Sequence, residues 1–327
     1  MNVNGETVVA LLSRSLCMDY LAPAVQGAFA KIGEGVELRF VDTVRGTDAL
    51  RDGAEVDVAL CWEPQPGHWP LMPNVRLVHS VAAGVDHILE DPTLPAGVPL
   101  ARIRDPHMAS AMAAYVTWAV TSGHRGMDRY AAQQRSQTWV EHAVQPATQY
   151  PIGIAGMGTL GSHCARALAA IGYPMRGWSR SAPVKPVAGC EHFAGDAQRG
   201  EFLQGLKALI CLLPLTEQTR GALNADCFAQ LGNGAHVINV GRGAHLIESD
   251  LLVALDAGQL GLATLDAFNV EPLPANDAMW SHPKVRVTPH IATRTAPEVI
   301  AEQTVRHWQQ VCAGEVPHHA VDRANGY

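Results

Sequence analysis

Three polar residues follow apolar runs in the second half of the chain, and their side chains suit proton transfer to a bound acid. Arg242 stands between two glycines after the run Ile238–Val240, where its guanidinium can pair with a carboxylate through two parallel hydrogen bonds. His290 follows the run Val285–Thr288, and histidine exchanges protons near neutral pH because its unperturbed pKa is about 6.5. Glu271, which precedes a proline, can accept a hydrogen bond from this histidine and fix its ring. The three residues together predict a site that holds a small acid and donates a proton to it.

Each of these residues alone has an ordinary alternative explanation. The chain contains 15 histidines, most of which we expect at the surface or in the core. An isolated Glu-Pro pair is usually a turn, and it carries no chemistry by itself. The prediction becomes specific only because the three residues follow a nucleotide-binding motif in the same part of the chain.

That motif is a glycine-rich turn. The sequence reads Gly-x-Gly-x-x-Gly between the apolar run 152–155 and a predicted helix, Ser162–Ala170. In a dinucleotide-binding turn the first glycine makes the tight turn, the second admits a pyrophosphate, and the third lets helix and strand pack closely. The helix N-terminus adds N–H donors and a partial positive charge, whereas an ordinary glycine turn is the alternative. The predicted cofactor-binding residues of this turn are Gly156, Met157, Gly158, Thr159, Leu160 and Gly161.

The end of the next predicted strand indicates which dinucleotide binds. NAD-specific sites place an acidic residue there to bind the ribose hydroxyls. This chain instead has Ser179, Arg180 and Ser181. A guanidinium with two hydroxyl groups suits a 2′-phosphate, and an exposed loop arginine is the alternative. We therefore predict that NADPH is the preferred cofactor, with NADH as the second choice.

Two alternating series of strands and helices position these residues. The first series contains the predicted strands Thr7–Ser13, Val36–Val41, Val56–Trp62, Val75–Val81 and Pro99–Arg104. The second contains Pro151–Ala155, Met175–Trp178, Lys207–Leu213, His236–Val240, Leu262–Ala267 and Val285–Thr288. This alternation predicts an α/β fold with two doubly wound parallel sheets.

A change of pattern separates the two series. A long helix-like stretch begins at His107, and Asp105-Pro106 is the predicted junction because proline biases the residue before it away from helix. The last amphipathic helix, 296–313, follows the second set of strands and is expected to return to the first domain. The predicted domains are residues 1–104 plus 291–327, and residues 105–290.

Composition narrows the classes of function. A chain of 327 residues has room for about two domains, and 47% hydrophobic residues support packed cores. The net charge is −7 and the basic residues are scattered, so we expect no nucleic-acid partner. No apolar stretch reaches the ~20 residues of a membrane-spanning helix, and residues 1–6 lack a signal-peptide pattern, so we expect no membrane partner and a cytoplasmic location. The seven cysteines include no Cys-x-x-Cys pair, and we predict no metal site.

Several of these segments resemble the D-isomer-specific 2-hydroxyacid dehydrogenases, and most closely the glyoxylate/hydroxypyruvate reductase A group of that family. The similar segments are Asn239–Gly243, Asp266–Pro274, Thr288–Ala292 and the C-terminal Val321–Tyr327, and the resemblance covers essentially the whole chain. It implies a flavodoxin-like substrate-binding domain, an inserted Rossmann NAD(P)-binding domain and an active site in the cleft. It also implies a homodimer, with the helix near His107 and its polar extension as an interface arm.

The resemblance also implies roles for individual residues. Arg242, Glu271 and His290 match the catalytic residues, and the first and last of these also match substrate contacts. Trp62 matches an aromatic residue near the substrate, with core packing as its alternative. The matching substrate loop, which binds a carboxylate through backbone N–H groups, contains Ala82, Ala83 and Gly84. The further cofactor-binding residues that it implies are Leu213, Pro214, Thr219, Val240, Gly241, Arg242 and Asp266, the last near the nicotinamide carboxamide.

Two residues depart from the family pattern. Ala82 replaces the first glycine of the carboxylate loop, so the backbone there must accommodate a β-carbon. Arg294 stands where a smaller or apolar residue is expected, and it points either to the cleft or to solvent.

The predicted reaction is the NADPH-dependent reduction of the C2 carbonyl of small 2-keto acids, with His290 as the proton donor. Glyoxylate would give glycolate, and hydroxypyruvate would give D-glycerate. Two alternatives are open. The first is a reductase of bulkier 2-keto acids such as phenylpyruvate, and the second is a dinucleotide-sensing scaffold similar to a corepressor.

Overall fold

The computed structural model describes residues 5–42, 50, 53–183 and 185–323. The first four residues and residues 324–327 of the family-like C-terminal segment lie outside the described part. In chain order the elements are β1 (Thr7–Ser13), α1 (Ala22–Lys31), β2 (Val36–Asp42), β3 (Val58–Trp62), β4 (Leu77–Ser80), α2 (Asp86–Leu89), β5 (Leu100–Ala101), α3 (Pro106–His124), α4 (Met127–Arg135), β6 (Ile152–Ala155), α5 (Thr159–Ile171), β7 (Met175–Ser179), β8 (Cys190–Ala194), α6 (Arg199–Leu203), β9 (Ala208–Cys211), α7 (Ala225–Gln230), β10 (Ala235–Asn239), α8 (Glu248–Asp256), β11 (Leu260–Leu265), β12 (Val285–Val287) and α9 (Pro297–Cys312).

The chain divides into two compact units. Unit 1 contains Met1–Asp105 and Arg294–Tyr327, and unit 2 contains Pro106–Thr293. Helix α9 therefore belongs to unit 1, where its indole Trp308 is fully buried. Residues 291–293 group with unit 2, in which the backbone N–H groups of Ile291 and Ala292 bind the carboxylate of Asp266.

Unit 1 is built on a five-stranded sheet. Its strand order is β2-β1-β3-β4-β5, and every neighbouring pair is parallel. All seven residues of β1 are buried, because helices cover both faces of a parallel sheet and select for a continuous apolar run. This run is why the limits of β1 are predicted correctly from the sequence.

Unit 2 is built on a seven-stranded parallel sheet with the order β12-β11-β10-β9-β6-β7-β8. The chain enters at β6, moves outward to β8, and then crosses to β9 on the other side of β6. Ligands of such sheets bind at the carboxyl ends of the strands, where the order reverses. The loops after β6 and β9 meet at this point, which is where the glycine-rich turn lies. The predicted α/β class with two doubly wound parallel sheets is confirmed.

Two details of unit 2 differ from the sequence prediction. Strand β8 was not predicted, because this edge strand has one buried residue, Phe193, and lacks an apolar run. The predicted long helix from His107 is two helices, α3 and α4, separated at Gly126, whose φ of 62° lies in the left-handed region. Within the described ranges, no helix combines the length and the apolar character needed to cross a bilayer.

Candidate active site

The turn between β6 and α5 has the shape that a dinucleotide requires. Gly156 has a φ of +105°, and a β-carbon there would lie 2.4 Å from the carbonyl oxygen of Leu212 in the loop after β9. A β-carbon on Gly161 would lie 1.9 Å from the oxygen of Gly156. At exposed Gly158 an added β-carbon meets no atom within 4 Å, so the surface of the turn is open there. Glycines are thus required by the protein at two positions, and the third leaves a space that suits a pyrophosphate.

Helix α5 begins at exposed Thr159, directly after this open position. The N-terminus of a helix presents N–H groups without partners in the helix, so α5 offers donors to an anion. Leu160 is half-buried, and Met157 packs on β7, where a β-carbon at Gly177 would lie 2.6 Å from its sulfur. The residues of this turn therefore fit a pyrophosphate group.

The segment after β7 lies beside the glycine-rich turn, since the N–H of Gly156 donates to the carbonyl of Trp178. Arg180 and Ser181 are exposed. The hydroxyl of Ser179 donates to the carbonyl of Ser181 at 2.8 Å, so its proton is used inside the turn. Arg180 and Ser181 are consequently better placed than Ser179 to donate to a 2′-phosphate.

The loop after β9 contains three of the predicted cofactor residues. Leu213 is half-buried, and Pro214 accepts a hydrogen bond of 2.7 Å from the hydroxyl of Thr219. The same hydroxyl accepts the N–H of Thr216 at 2.8 Å. Thr219 thus closes this loop on itself.

Arg242 is held on a tight turn at the end of β10. The side chain of Asn239 accepts the N–H of Gly241 and donates to the carbonyl of Arg242, at 3.2 and 2.9 Å. The N–H of Arg242 donates to Nδ1 of buried His245. Because Nδ1 accepts this bond, Nε2 of His245 carries the proton, and Nε2 lies 3.3 Å from the carbonyl oxygen of Pro214. Val240 is buried at the end of the run. Asn239 and His245 are positioning residues that the sequence analysis did not identify.

Glu271 and His290 form a hydrogen-bonded pair. Nδ1 of His290 lies 2.9 and 3.1 Å from the two carboxylate oxygens of Glu271, and the N–H of Phe268 donates to the same carboxylate at 2.9 Å. Burial acts to raise the pKa of Glu271, but the hydrogen bond and charge of His290, together with the N–H of Phe268 and the charge of Arg242, bring this pKa below its ordinary value. The charge of Arg242 acts in the same direction, which brings the third predicted residue close to the pair.

The backbone of His290 is unusual. Its φ of 53° lies in the left-handed region, which costs a residue with a β-carbon about 1 kcal/mol or more. The buried carboxylate of Asp266 accepts hydrogen bonds from the hydroxyl of Thr288 and from the N–H groups of Ile291 and Ala292, at 2.6, 2.8 and 2.8 Å. Burial raises the pKa of Asp266, and these bonds oppose the rise without cancelling it. Both oxygens of Asp266 are therefore engaged in shaping the loop around His290.

The predicted substrate residues other than Arg242 and His290 lie in unit 1. Trp62 ends β3, is half-buried, and lies with its ring centroid 5.0 Å from that of His87. Ala82, Ala83 and Gly84 form a half-buried bend before α2. Ala82 has no positive φ, so its β-carbon is accommodated without backbone strain.

Two hydrogen bonds hold this bend from outside. The N–H of Ile103 donates to the carbonyl of Ala82, and the guanidinium of Arg102 donates to the carbonyl of Ala83 at 3.2 Å.

Arg294 is exposed. Burial raises the pKa of Tyr20, and the positive charge of Arg294 acts to lower it. Arg294 therefore lies near this tyrosine of unit 1. The described residues contain no cluster of side chains that could hold a metal ion.

Comparisons with known proteins agree with this geometry. The family model for the NAD-binding domain of D-isomer specific 2-hydroxyacid dehydrogenases matches residues 117–292. The glyoxylate/hydroxypyruvate reductase A of Yersinia enterocolitica is 43% identical over 281 residues, which cover 84% of this chain and 89% of that protein.

Solved structures extend the similarity over nearly the whole chain. The NADPH-dependent glyoxylate/hydroxypyruvate reductase of Sinorhizobium meliloti, in complex with NADP and sulfate, gives a TM-score of 0.85 at 33% identity and covers 98% of this chain and 100% of that one. A D-isomer specific 2-hydroxyacid dehydrogenase from Xanthobacter autotrophicus, in complex with NADPH and MES, gives a TM-score of 0.84 at 35% identity and also covers 98% of this chain and 100% of that one. The chain thus belongs to the D-isomer specific 2-hydroxyacid dehydrogenases.

Proposed function

We propose that this protein is an NADPH-dependent reductase of small 2-keto acids, which converts glyoxylate to glycolate and hydroxypyruvate to D-glycerate. The observation that carries the proposal is the Glu271–His290 pair beside Arg242, on loops at the strand ends of the dinucleotide-binding unit. The relatives from Yersinia enterocolitica and Sinorhizobium meliloti, which are named for these two substrates, support the substrate class.

The mechanism follows from the way Glu271 holds His290. Reduced nicotinamide, when bound, supplies a hydride to the C2 carbonyl of the keto acid. Because Nδ1 of His290 is bonded to Glu271, Nε2 is the atom that donates a proton to the carbonyl oxygen. The carboxylate of Glu271 stabilises the charged imidazole and holds its orientation. Arg242 pairs with the substrate carboxylate.

The preference for NADPH rests on the turn after β7. Arg180 is exposed there, no acidic residue occupies 179–181, and two relatives were solved with NADP or NADPH. We expect Arg180→Asp to weaken NADPH binding and to favour NADH, because the new carboxylate repels a 2′-phosphate and accepts ribose hydroxyls. The ratio of kcat/KM for the two cofactors measures this effect. Arg166→Asp, an equal charge change on an exposed position of α5, is the control and should leave the ratio unchanged.

A homodimer is part of this proposal. The indole of Trp139 is fully exposed, and Trp118, Met127 and Val140 are 45%, 41% and 48% exposed, whereas α4 contributes no buried residue. Large apolar side chains exposed along one stretch of the chain, residues 118–140, are the kind of surface that a protein contact covers. We expect Trp139→Ser to reduce the mass measured by size-exclusion chromatography with light scattering. Trp280 is also exposed, at 52%, but lies outside residues 118–140, so Trp280→Ser is the control and should leave the mass unchanged.

The decisive experiment follows the absorbance of reduced nicotinamide with purified protein. NADPH and NADH are offered separately with glyoxylate, hydroxypyruvate, pyruvate and phenylpyruvate. Rapid NADPH oxidation with the two smallest oxygenated acids supports the proposal. A preference for phenylpyruvate would replace it by the reductase of bulkier acids, and NADPH binding without turnover would replace it by the scaffold function.

A further inference from the structure

A chain of hydrogen bonds leads from helix α3 to the loop of His290. The hydroxyl of Tyr115 lies 2.6 Å from Oγ1 of Thr288, and this oxygen lies 2.6 Å from Oδ1 of Asp266. Tyr115 and Thr288 are separated by 173 residues in the sequence. The chain therefore links α3, which takes no direct part in the site described above, to the carboxylate that shapes the catalytic loop.

The direction of these hydrogen bonds can be assigned. Asp266 accepts two backbone N–H groups, and its carboxylate also faces the hydroxyl of Thr288, so Thr288 is the donor to Asp266. The single proton of Thr288 is used in this bond, so Tyr115 must donate to Thr288. Burial raises the pKa of Tyr115 to about 12, which keeps its phenol protonated at neutral pH. Hydrogen bonds that point the same way strengthen one another.

Asp266 binds the loop on both sides of His290. Thr288 precedes the histidine by two residues, and Ile291 and Ala292 are the two residues that follow it. A left-handed residue persists only where its surroundings enforce that conformation, and one carboxylate here fixes the residues on each side. A change in the Thr288–Asp266 bond should therefore move the imidazole relative to its partner, Glu271.

We propose that Tyr115 is a positioning residue for proton transfer, which acts through Thr288 and Asp266 to hold His290 in its reactive orientation. The proposal rests on the proposed function, since it assigns this role within the same reduction. Tyr115 is not a catalytic residue, because its hydroxyl is bonded to Thr288 and acts through it.

Other contacts attach α3 to the sheet, so the role of the Tyr115 hydroxyl can be tested without detaching the helix. The guanidinium of Arg286 on β12 donates to the hydroxyl of Ser122 on α3 at 2.6 Å and to the carboxylate of Asp128, at the start of α4, at 2.9 Å. A matched control is also present. The hydroxyl of Tyr173 lies 2.9 Å from Nδ1 of His124 near the end of the same helix, and neither residue contacts the His290 loop.

The first test compares Tyr115→Phe with Tyr173→Phe. We expect Tyr115→Phe to lower kcat about 3- to 10-fold, the effect of one lost hydrogen bond, with the KM for NADPH nearly unchanged. Tyr173→Phe should leave kcat within about two-fold. Unchanged kcat in Tyr115→Phe, or an equal loss in Tyr173→Phe, would overturn the proposal.

The second test asks whether the effect passes through Thr288. Thr288→Val removes the hydroxyl while keeping the shape, and we expect a loss in kcat of about 10- to 100-fold, because its bond to a carboxylate is charge-assisted. Thr288→Ser, which keeps the hydroxyl, should restore most of the rate. In the Thr288→Val background, Tyr115→Phe should then have no further effect, whereas independent losses would contradict a connected chain.

A spectroscopic measurement separates this proposal from the proposed function. The imidazole resonances of His290, assigned by their loss in His290→Gln, should shift in Tyr115→Phe and not in Tyr173→Phe. If wild-type protein reduced none of the keto acids, the proposed function would fail, but these resonances would still report whether Tyr115 positions the ring. Identical spectra for the wild type and Tyr115→Phe would refute the positioning role.

Discussion

Lowering the pH should destabilise unit 1 through a buried pair of histidines. His79 on β4 and His307 on α9 are fully buried, and Nε2 of His79 lies 2.9 Å from Nδ1 of His307. Burial and the neighbouring charge of His307 lower the pKa of His79 to about 3. Burial, His319 and Arg306 lower the pKa of His307 to about 4. Both rings are therefore neutral in the folded protein at every pH above 5.

The sign and size of the effect follow from proton linkage. In the unfolded chain each histidine has a pKa of about 6.5, so between pH 6.5 and 4 the unfolded state binds more protons than the folded state, and unfolding is favoured as pH falls. The contribution of the pair is fully present above pH 6.5. At pH 5 each histidine has cost about 2 kcal/mol of unfolding free energy, or about 4 kcal/mol for the pair.

The assay is hydrogen–deuterium exchange at pH 7.5 and pH 5.0, corrected for the intrinsic rates and read separately for peptides of the two units. His79→Gln combined with His307→Asn places amide groups where the two bonded ring nitrogens lie and removes both titrations. We expect the pH-dependent loss of protection in unit 1 to fall by about 4 kcal/mol in this double variant.

Unit 2 supplies an internal control for this experiment. Buried His236, whose pKa is lowered to about 3 by burial and by the charge of Arg286, should cause the same loss in unit 2 of the wild type and of the variant. An equal pH-dependent loss in unit 1 of wild type and double variant would refute the reasoning.

Three further predictions concern the proposed reaction. His290→Gln should lower kcat by about 10² to 10⁴ while NADPH affinity, measured by fluorescence titration, is retained; a rate near that of the wild type would exclude the histidine as proton donor. Arg242→Ala should lower kcat/KM for glyoxylate far more than for an aldehyde without a carboxylate, and equal losses for both would contradict carboxylate pairing. Gly158→Ala should keep the melting temperature, because its β-carbon meets no protein atom, and should weaken NADPH binding; unaltered affinity would place the pyrophosphate elsewhere.

The fold is predictable where local sequence determines it. A strand buried on both faces has an apolar interior, and the run Val8–Leu12 accordingly identifies β1, whose limits match the prediction. The glycine-rich turn is recognisable from its own spacing, although the constraint on Gly156 comes from Leu212 in the loop after β9. Strand β8 lies at an edge and depends on pairing with β7, so its own composition gives little signal.

The support of the site is less predictable, because it depends on side chains that meet only after folding. Residue types and their spacing indicate Arg242 and His290, but the partners that hold them are mostly distant in sequence. The bond between Tyr115 and Thr288 crosses from a helix to a strand end, and no periodicity of either segment indicates it. His245 lies three residues from Arg242 and could be suspected from that spacing, although a histidine beside a glycine turn is not specific by itself.

The left-handed backbone of His290 shows why this support is needed. Glycine would adopt a φ of 53° at almost no cost, whereas a histidine loses about 1 kcal/mol or more at the same position. The protein accepts this loss and places a buried carboxylate, Asp266, against the same loop, although burying a carboxylate is itself unfavourable. Neither feature stabilises the fold on its own. Together they hold one imidazole against Glu271 through Nδ1, which is the arrangement that proton donation from Nε2 to a carbonyl requires.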